Sequence, residues 1–351
     1  MFSRRAFAAA LLCVLPTASA IATEDDAPAP TVEWVLPWTP GTSLVYAMED
    51  TTIETQGGKR DRSRTSATAT VRIEQASTEG FVQSWTASGS RFEVLEGDRS
   101  REALMQRLGK AFDGVALEVD LDAAGNYARA RNIAELAPRL REAFLAGAEL
   151  GLDRELGKLD AAAREEARGK AMERLRGVVD RMTAPAVLET MLARNVQWYN
   201  GFVGIDIEPD QAYEVVTELP SPFGGPSFPA KLTFSLAVSP DDPDDLFVSF
   251  DQSIDPGKGK AAVIAATQAL VGQELPEDAM QDLAFSLLDE GLFVVHRPTG
   301  TVEMFEAVRT TRFGDKEKVE RHRLRLTNGE HEHVWRDEQD EASDDAMAGD
   351  A

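Results

Sequence analysis

Three of the four histidines, His322, His331 and His333, lie near the end of the chain, on either side of Asn328-Gly329. An Asn-Gly pair is the typical two-residue turn of a β-hairpin. Because side chains alternate along a strand, a hairpin centred there places all three imidazoles on one face. Imidazoles in that arrangement can hold zinc or copper, so this face is the predicted metal site. The alternative is a half-exposed terminal hairpin whose histidines bind nothing, and no other cofactor is expected.

A second candidate site is the loop 219–229, in which four prolines surround Gly224-Gly225. Phe223 and Phe228 lie close to these glycines. Prolines restrict the backbone, so such a loop can present aromatic rings to a partner. We therefore predict that the two phenylalanines contact an apolar ligand or a polypeptide segment. The alternative is a loop folded back onto its own domain, in which both rings are buried and fill space in the core.

Motifs of the common catalytic mechanisms are absent from the sequence. It contains neither the Gly-x-Ser-x-Gly turn of serine hydrolases nor a glycine-rich phosphate loop ending in Lys-Ser or Lys-Thr. Cys13 is the single cysteine and lies in the predicted leader, so the mature chain has no cysteine nucleophile and no cysteine-based metal site. The sequence favours a binding protein over an enzyme, with a metal-assisted hydrolase at the histidine face as the alternative.

Residues 1–20 have the order of charged and apolar residues that is typical of secretory signal peptides. The Arg4-Arg5 pair precedes the apolar run Ala6–Leu15, and Ala18-Ser19-Ala20 supplies a cleavage site with small residues. The apolar run is too short to span a bilayer. We therefore predict cleavage and export to the periplasm or to the outside of a bacterial cell. Ser3–Phe7 resembles the twin-arginine export motif, with an ordinary signal peptide as the alternative.

The chain of 351 residues is strongly acidic, with a formal net charge of −23. Two of its 37 basic residues lie in the leader, so 35 remain against 60 acidic ones. Such a protein repels phosphate backbones and anionic lipid surfaces, which excludes nucleic acid as an expected partner. The best later candidate for a membrane span, Ala261–Val271, is too short. The oligomeric state is left open.

Composition divides the chain after the leader into five regions. Residues 21–40 contain prolines and acidic residues and predict a flexible tether, while the acidic residues 337–351 predict a disordered tail. The regions 41–132 and 201–336 show strand-like alternation, which predicts two β-rich modules. Between them, 133–200 has apolar residues at steps of three and four, which predicts a helical segment.

The two strand-rich regions resemble each other, which predicts an internal duplication. Each has a tyrosine in its first strand, Tyr46 or Tyr213, at the same distance from a Gly-Gly loop. Each also has a hairpin whose four-residue turn ends in glycine, at 122–125 and at 297–300. The alternative is that unrelated β-rich proteins use the same turns.

Further helices are predicted at 101–112 and 260–288, after the first strands of each strand-rich region. Within 133–200, Gly147 and Gly151 mark the expected break between two helices. The helical surface after this break is lined with alanine, which suits close packing against a sheet or another helix.

These elements predict an α+β fold of two antiparallel β-sheet modules, with the helical segment between them packing on the sheets. Curved sheets that embrace helices resemble the half-barrel carriers of the bacterial periplasm, such as the lipoprotein-carrier family. This resemblance is one of architecture, and no residue of the chain is matched to a site of that family. It implies a non-enzymatic periplasmic binding or carrier protein for an apolar ligand or a polypeptide segment. A scaffold protein would show the same sequence features.

Overall fold

Most strands of the described chain belong to one antiparallel sheet of 11 strands. A computed structural model describes residues 31–34, 38–156, 160–219, 227–240, 242–255, 264–265 and 285–329. The predicted leader 1–20 and the predicted acidic tail 337–351 therefore lie outside the described residues.

The strands of the described chain follow one another in two groups, separated by a run of helices. They are β1 (Val32–Glu33), β2 (Ser43–Gln56), β3 (Lys59–Ser77), β4 (Gly80–Glu96), β5 (Ala116–Asp122), β6 (Tyr127–Ala130), β7 (Asp206–Ile207), β8 (Ala212–Leu219), β9 (Phe228–Val238), β10 (Asp245–Ile254), β11 (Phe285–His296), β12 (Thr301–Phe313) and β13 (Lys316–Leu326). β1 and β7 pair with each other in a separate two-stranded sheet, and the other strands form the main sheet.

The main sheet is continuous, with the order β6-β5-β4-β3-β2-β13-β12-β11-β10-β9-β8. Each half is a meander, and the antiparallel pair β2–β13 joins the halves from Lys316 opposite Gln56 to Leu326 opposite Tyr46. The mixed, sheet-dominated fold class is thus confirmed, but the long strands of both strand-rich regions share one sheet where two modules were expected. The reason is that β2 and β13 would otherwise each expose an unpaired strand edge. The internal duplication stays a prediction.

Three of the described helices lie within the predicted helical segment 133–200, the first beginning at Ile133 and the last ending at Asn200, and a fourth helix precedes them. In chain order, the helices are α1 (Glu102–Phe112), α2 (Ile133–Leu156), α3 (Ala161–Met182) and α4 (Pro185–Asn200). α2 continues through Gly147 and Gly151, so the break predicted there is wrong. A Cβ atom on Gly147 would lie 2.4 Å from the Cδ1 atom of Leu104. This glycine therefore allows α1 to approach α2 closely rather than ending the helix.

The predicted helix 260–288 is wrong at its C-terminal end, where β11 begins at Phe285. Residues 264–265 are helical, and the rest of this segment lies outside the described residues. Residues 285–288 are strand because they pair with β12, from Phe285 opposite Phe313 to Leu288 opposite Thr310, and Leu288 also pairs with Ser253 of β10. Pairing with a neighbouring strand satisfies backbone N–H and C=O groups, and local helical spacing does not outweigh it.

Both predicted four-residue hairpin turns are present. The N–H of Gly125 donates to the carbonyl of Asp122 at 3.0 Å, and the N–H of Gly300 donates to the carbonyl of His296 at 2.7 Å. The two glycines have φ angles of 89° and 65°, which residues with a Cβ atom rarely adopt. The glycine in the last position of each turn is thus required by the backbone.

Part of the segment 21–40 belongs to the folded core. Trp34 is 1% exposed, and its indole N–H donates to the carbonyl of Gly300 at 2.9 Å. Trp38 is also buried and meets the ring of Phe81 edge-on, with 5.3 Å between centroids. The flexible tether expected at 21–40 therefore does not include these residues. Burial of two large indoles stabilises an ordered chain here despite the neighbouring prolines.

The two faces of the main sheet differ because side chains alternate along each strand. The inner face carries the largest buried aromatic side chains: Tyr46, Phe250, Phe293 and Phe305. Phe293 and Phe305 stack, with 4.6 Å between their ring centroids, and the ring of Trp34 lies 5.5 Å from that of Phe293. The main hydrophobic core is thus on this face.

Candidate ligand-binding site

α4 lies on the inner face of the sheet and is enclosed by other elements. Pro185 begins it at a position where a backbone N–H has no partner within the helix, so proline is tolerated there. The buried residues of α4 lie on more than one side of the helix: Leu188, Ala193, Val196, Trp198, Tyr199 and Asn200. Because a helix buried on several sides needs neighbours on each of them, α4 packs on the sheet and also contacts α2 and α3.

A pair of buried tyrosines fixes the C-terminal end of α4 to β2. The hydroxyl oxygens of Tyr199 and Tyr46 lie 2.7 Å apart, and the Tyr46 hydroxyl donates to the carbonyl of Val302 at 3.0 Å. Tyr199 is therefore the donor between the two phenols. Burial raises the pKa of each hydroxyl well above the ordinary value for tyrosine, so both remain protonated.

A buried amide pair fixes the same end of α4 to β4. The amide of Gln83 donates to Oδ1 of Asn200 at 3.2 Å, and the amide of Asn200 donates to Oε1 of Gln83 at 3.1 Å. The indole of Trp85 donates to the same Gln83 oxygen at 3.0 Å. Since both amide side chains are 0% exposed, this reciprocal pairing holds α4 in one position.

A cavity of about 370 Å³ lies between α4 and the strands β8, β9, β10, β12 and β13. Its apolar wall consists of aromatic and aliphatic side chains: Met191, Trp198, Phe202, Leu219, Leu232 and Phe250. Its charged wall consists of two cations and two anions: Arg194, Arg309, Glu218 and Glu320. The cavity is thus amphipathic, with rings and aliphatic chains beside guanidinium and carboxylate groups.

The charged wall contains one fully buried ion pair. Nε and Nη2 of Arg309 each donate to one carboxylate oxygen of Asp289, both at 2.7 Å, and Asp289 is 0% exposed. This two-point geometry satisfies both groups. The guanidinium groups of Arg309 and Arg194 also lie over the indole of Trp198, each 5.2 Å from the ring centroid. These contacts orient the indole in the cavity wall.

Glu320 is surrounded by positive charge. Its Oε1 lies 3.5 Å from Nη1 of Arg194 and 3.2 Å from Nζ of Lys318. Burial alone would raise the pKa of Glu320, but the charges of Arg194, Lys318 and Arg309 lower it below its ordinary value. Glu320 is therefore a carboxylate at neutral pH.

Glu320→Gln is expected to reduce the free energy of unfolding at neutral pH by about 1–3 kcal/mol, through loss of charge-assisted contacts. Because the pKa is lower in the folded protein than in the unfolded chain, the carboxylate stabilises the fold above its unfolded pKa. That contribution is lost as the pH falls through the folded pKa. Urea unfolding from acidic to neutral pH should show a difference from wild type that shrinks on acidification.

Glu317→Gln is the matched control, because Glu317 is on the same strand but its side chain is 39% exposed. Its effect should stay below about 1 kcal/mol, as is typical of exposed ion pairs. If Glu320→Gln lowered the free energy of unfolding by the same amount at all pH values, the charged environment described for this carboxylate would be contradicted.

The histidine face is described only in part. His322 is 4% exposed, and its Nδ1 lies 2.6 Å from Oδ1 of Asp50 and 3.1 Å from Nδ2 of Asn195. Its Nε2 is buried without a partner among the described residues. His331 and His333 lie outside those residues. Nowhere in the described chain do three or more His, Cys, Asp or Glu side chains form a group that could hold a metal ion. The zinc or copper site stays a prediction.

The loop 219–229 is also described only at its ends. Phe223 lies outside the described residues. Phe228 is 1% exposed on β9 and packs in a small cluster with Leu219 and Leu287, with its ring centroid 6.3 Å from that of Phe285. The ring of Phe228 therefore stabilises one end of the sheet and is not presented to solvent.

Sequence reasoning did not single out Arg194, Trp198 or Arg309, which the structure brings together. A signal is present in the helix, since Arg194 and Trp198 are four residues apart and so share one face. A tryptophan, a tyrosine and an asparagine in succession at 198–200 also indicate burial on several sides. For Arg309 no comparable signal exists, because its neighbour Asp289 comes from another strand.

Among the helices of the described residues, none is long and apolar enough to cross a membrane.

Comparison with known proteins identifies no family for the chain. No family model and no curated protein matches the sequence. Among solved structures, one of lipovitellin, titled for its lipid–protein interactions, is similar at 9% sequence identity and a TM-score of 0.41. The likeness covers 85% of this chain but 26% of the lipovitellin chain, so the chain spans about a quarter of that length. At this identity and TM-score, the likeness contributes nothing to the assignment of a function.

Proposed function

We propose that the protein is a non-enzymatic binding or carrier protein that holds an apolar ligand between α4 and the inner face of the sheet. The observation that carries this proposal is the cavity of about 370 Å³ beside Trp198, Phe202 and Phe250. The cavity is open to solvent on one side, since Met191 in its wall is 42% exposed, so a ligand can enter it. Its volume is in the range of small-molecule sites.

The anchoring of α4 supports a site formed before the ligand arrives. The Tyr46–Tyr199 hydroxyl pair and the Gln83–Asn200 amide pair both hold the end of α4 that borders the cavity. A site whose walls are already ordered loses little conformational entropy on binding. The ligand therefore needs only to replace solvent in a fixed cavity.

The dimensions of the cavity favour a small apolar molecule over a polypeptide segment. A bound polypeptide needs a groove or a strand edge that satisfies its backbone hydrogen bonds along several residues. The cavity is instead lined by side chains of strands that already pair on both sides, except at β8.

We also propose that the protein acts outside the cytoplasm after removal of residues 1–20. The support for this is the order of charged, apolar and small residues in that segment. Cleavage there removes none of the described strands, of which the first begins at Val32. Mass spectrometry of the protein from the periplasmic or extracellular fraction should give a mature start at residue 21 or 23. Retention of the full leader would contradict export by cleavage.

A series of straight-chain alcohols tests the binding function. Titration calorimetry with octanol, decanol and dodecanol should show affinity rising about fourfold per methylene, from about 0.8 kcal/mol for each buried CH₂. Leu232→Trp should weaken binding at least tenfold, because Leu232 lines the cavity and the larger ring fills it.

Val216→Trp is the matched control. Val216 is 85% exposed on β8 and points away from the cavity, so the same added bulk should leave the affinity unchanged. Absence of binding, or equal binding by the wild type and Leu232→Trp, would overturn the proposed function. Near-ultraviolet circular dichroism of both variants confirms that each is folded.

A further inference from the structure

Arg194 presents a buried hydrogen-bond donor without a partner. Its Nε is enclosed, and no acceptor reaches it within the described part of the chain. Arginine is always charged, and leaving such a donor unpaired in a protein interior is unfavourable. The Nε atom therefore has no acceptor among the described residues, and more accessible parts of the same side chain line the cavity.

The remaining contacts of Arg194 leave much of its guanidinium available. The Nη1 atom lies 3.5 Å from Glu320, and that carboxylate is also approached by Lys318 at 3.2 Å. The other arginine of the cavity differs, because Arg309 donates both Nε and Nη2 to Asp289 at 2.7 Å. The Arg194 side chain is 30% exposed, so a ligand can reach it.

The geometry around Arg194 suits an oxyanion. A guanidinium group offers parallel N–H donors that match a carboxylate or phosphate. The central carbon of the Arg194 guanidinium lies over the Trp198 ring, 5.2 Å from its centroid. Beyond Arg194, the cavity wall is formed by Leu232, Phe202 and Phe250. A ligand that binds both Arg194 and the apolar wall has an anionic head and an apolar tail.

We propose that the cavity binds amphiphiles with one anionic head group, and that Arg194 binds this head while the tail lies against Phe202 and Phe250. The inference rests on the proposed function and specifies its ligand class. Two carboxylates also line the cavity, Glu320 and the exposed Glu218. A site governed by these two would favour a cationic head instead, which makes the sign of the head group the decisive variable.

The test compares four twelve-carbon ligands at neutral pH by titration calorimetry: dodecanoate, dodecyl phosphate, dodecanol and dodecylamine. The wild type should bind at least one of the two anions about ten- to hundredfold more tightly than dodecanol, as expected for charge-assisted hydrogen bonds. Dodecylamine should bind more weakly than dodecanol. The ratio between dodecanoate and dodecyl phosphate shows which oxyanion the site accepts better.

Arg194→Met should remove the preference for the anion and leave the dodecanol affinity within about threefold of wild type, since methionine keeps the apolar stem. Arg174→Met, an exposed arginine on α3, removes the same charge away from the cavity and should change neither affinity. Dodecanol binding without a preference for anions, or an equal loss of all ligands in Arg194→Met, would overturn the role of Arg194 and leave the binding function standing. Failure of all four ligands to bind would overturn both.

Discussion

Replacing Phe293 by alanine is expected to lower the free energy of unfolding by about 3–5 kcal/mol, the usual effect of truncating a fully buried aromatic side chain. Phe293 is 0% exposed on β11 and contacts four other rings of the core: Trp34, Phe202, Phe250 and Phe305. The rings belong to separate elements, so the surrounding structure can collapse only partly into the space left behind. Urea unfolding followed by circular dichroism measures the loss.

The neighbouring residue supplies the control for that variant. Leu292 is 43% exposed on the outer face of β11, so Leu292→Ala should change the free energy of unfolding by about 0.5 kcal/mol or less. Equal losses for the two variants would contradict the alternation of faces along β11, and with it the register that places Phe293 in the core.

Asp289→Ala is expected to destabilise the protein by about 3–5 kcal/mol, because it leaves the charge of Arg309 buried and unpaired. The pair is inaccessible, with side-chain exposures of 10% for Arg309 and 0% for Asp289. Both hydrogen bonds between them are 2.7 Å long. The measurement is the shift of the urea unfolding midpoint at constant slope.

The double variant Asp289→Leu/Arg309→Met shows whether the destabilisation by Asp289→Ala comes from an unpaired charge or from a general loss of packing. Removing both charges together should recover most of the stability lost in Asp289→Ala, since apolar residues of similar volume often replace a buried ion pair at little cost. The exposed ion pair between Arg312 of β12 and Glu317 of β13 is the control. Glu317→Ala should lower the free energy of unfolding by less than about 1 kcal/mol. A small effect of Asp289→Ala would show that this carboxylate does not compensate the buried guanidinium.

Local patterns in the sequence predicted the elements whose causes are local. The turns at 122–125 and 297–300 follow from a glycine that alone tolerates the left-handed backbone there. The helices of 133–200 follow from apolar residues at helical spacing. Where packing decided instead, local reasoning failed. Gly147 does not end α2; it provides the space that Leu104 of α1 occupies. Residues 285–288 are strand because they pair with β12.

The cavity was not predictable from the sequence because each wall comes from a different element. Leu232, Phe250 and Arg309 lie on three strands, and their meeting depends on the strand order of the sheet. Trp198 and Arg194 are recognisable as neighbours on one helix face, but nothing in the helix shows that a sheet lies opposite them. Of the candidate residues chosen from turn and loop patterns, the two that the structure describes, His322 and Phe228, are buried outside this cavity.

The sequence by itself determined the periodicities of this protein: alternating strands, a helical middle region and two glycine-closed hairpin turns, because these depend on residues within a few positions of one another. It also determined the acidic charge, which follows from composition alone. The tertiary structure alone decided that the two strand-rich regions share one sheet through β2 and β13. It alone placed α4 against that sheet, with Arg194 in the wall of a cavity. These features arise from contacts between residues that are distant in the chain. Such contacts pair the backbone groups of strand edges and bury aromatic rings, and they cannot be read from local residue spacing.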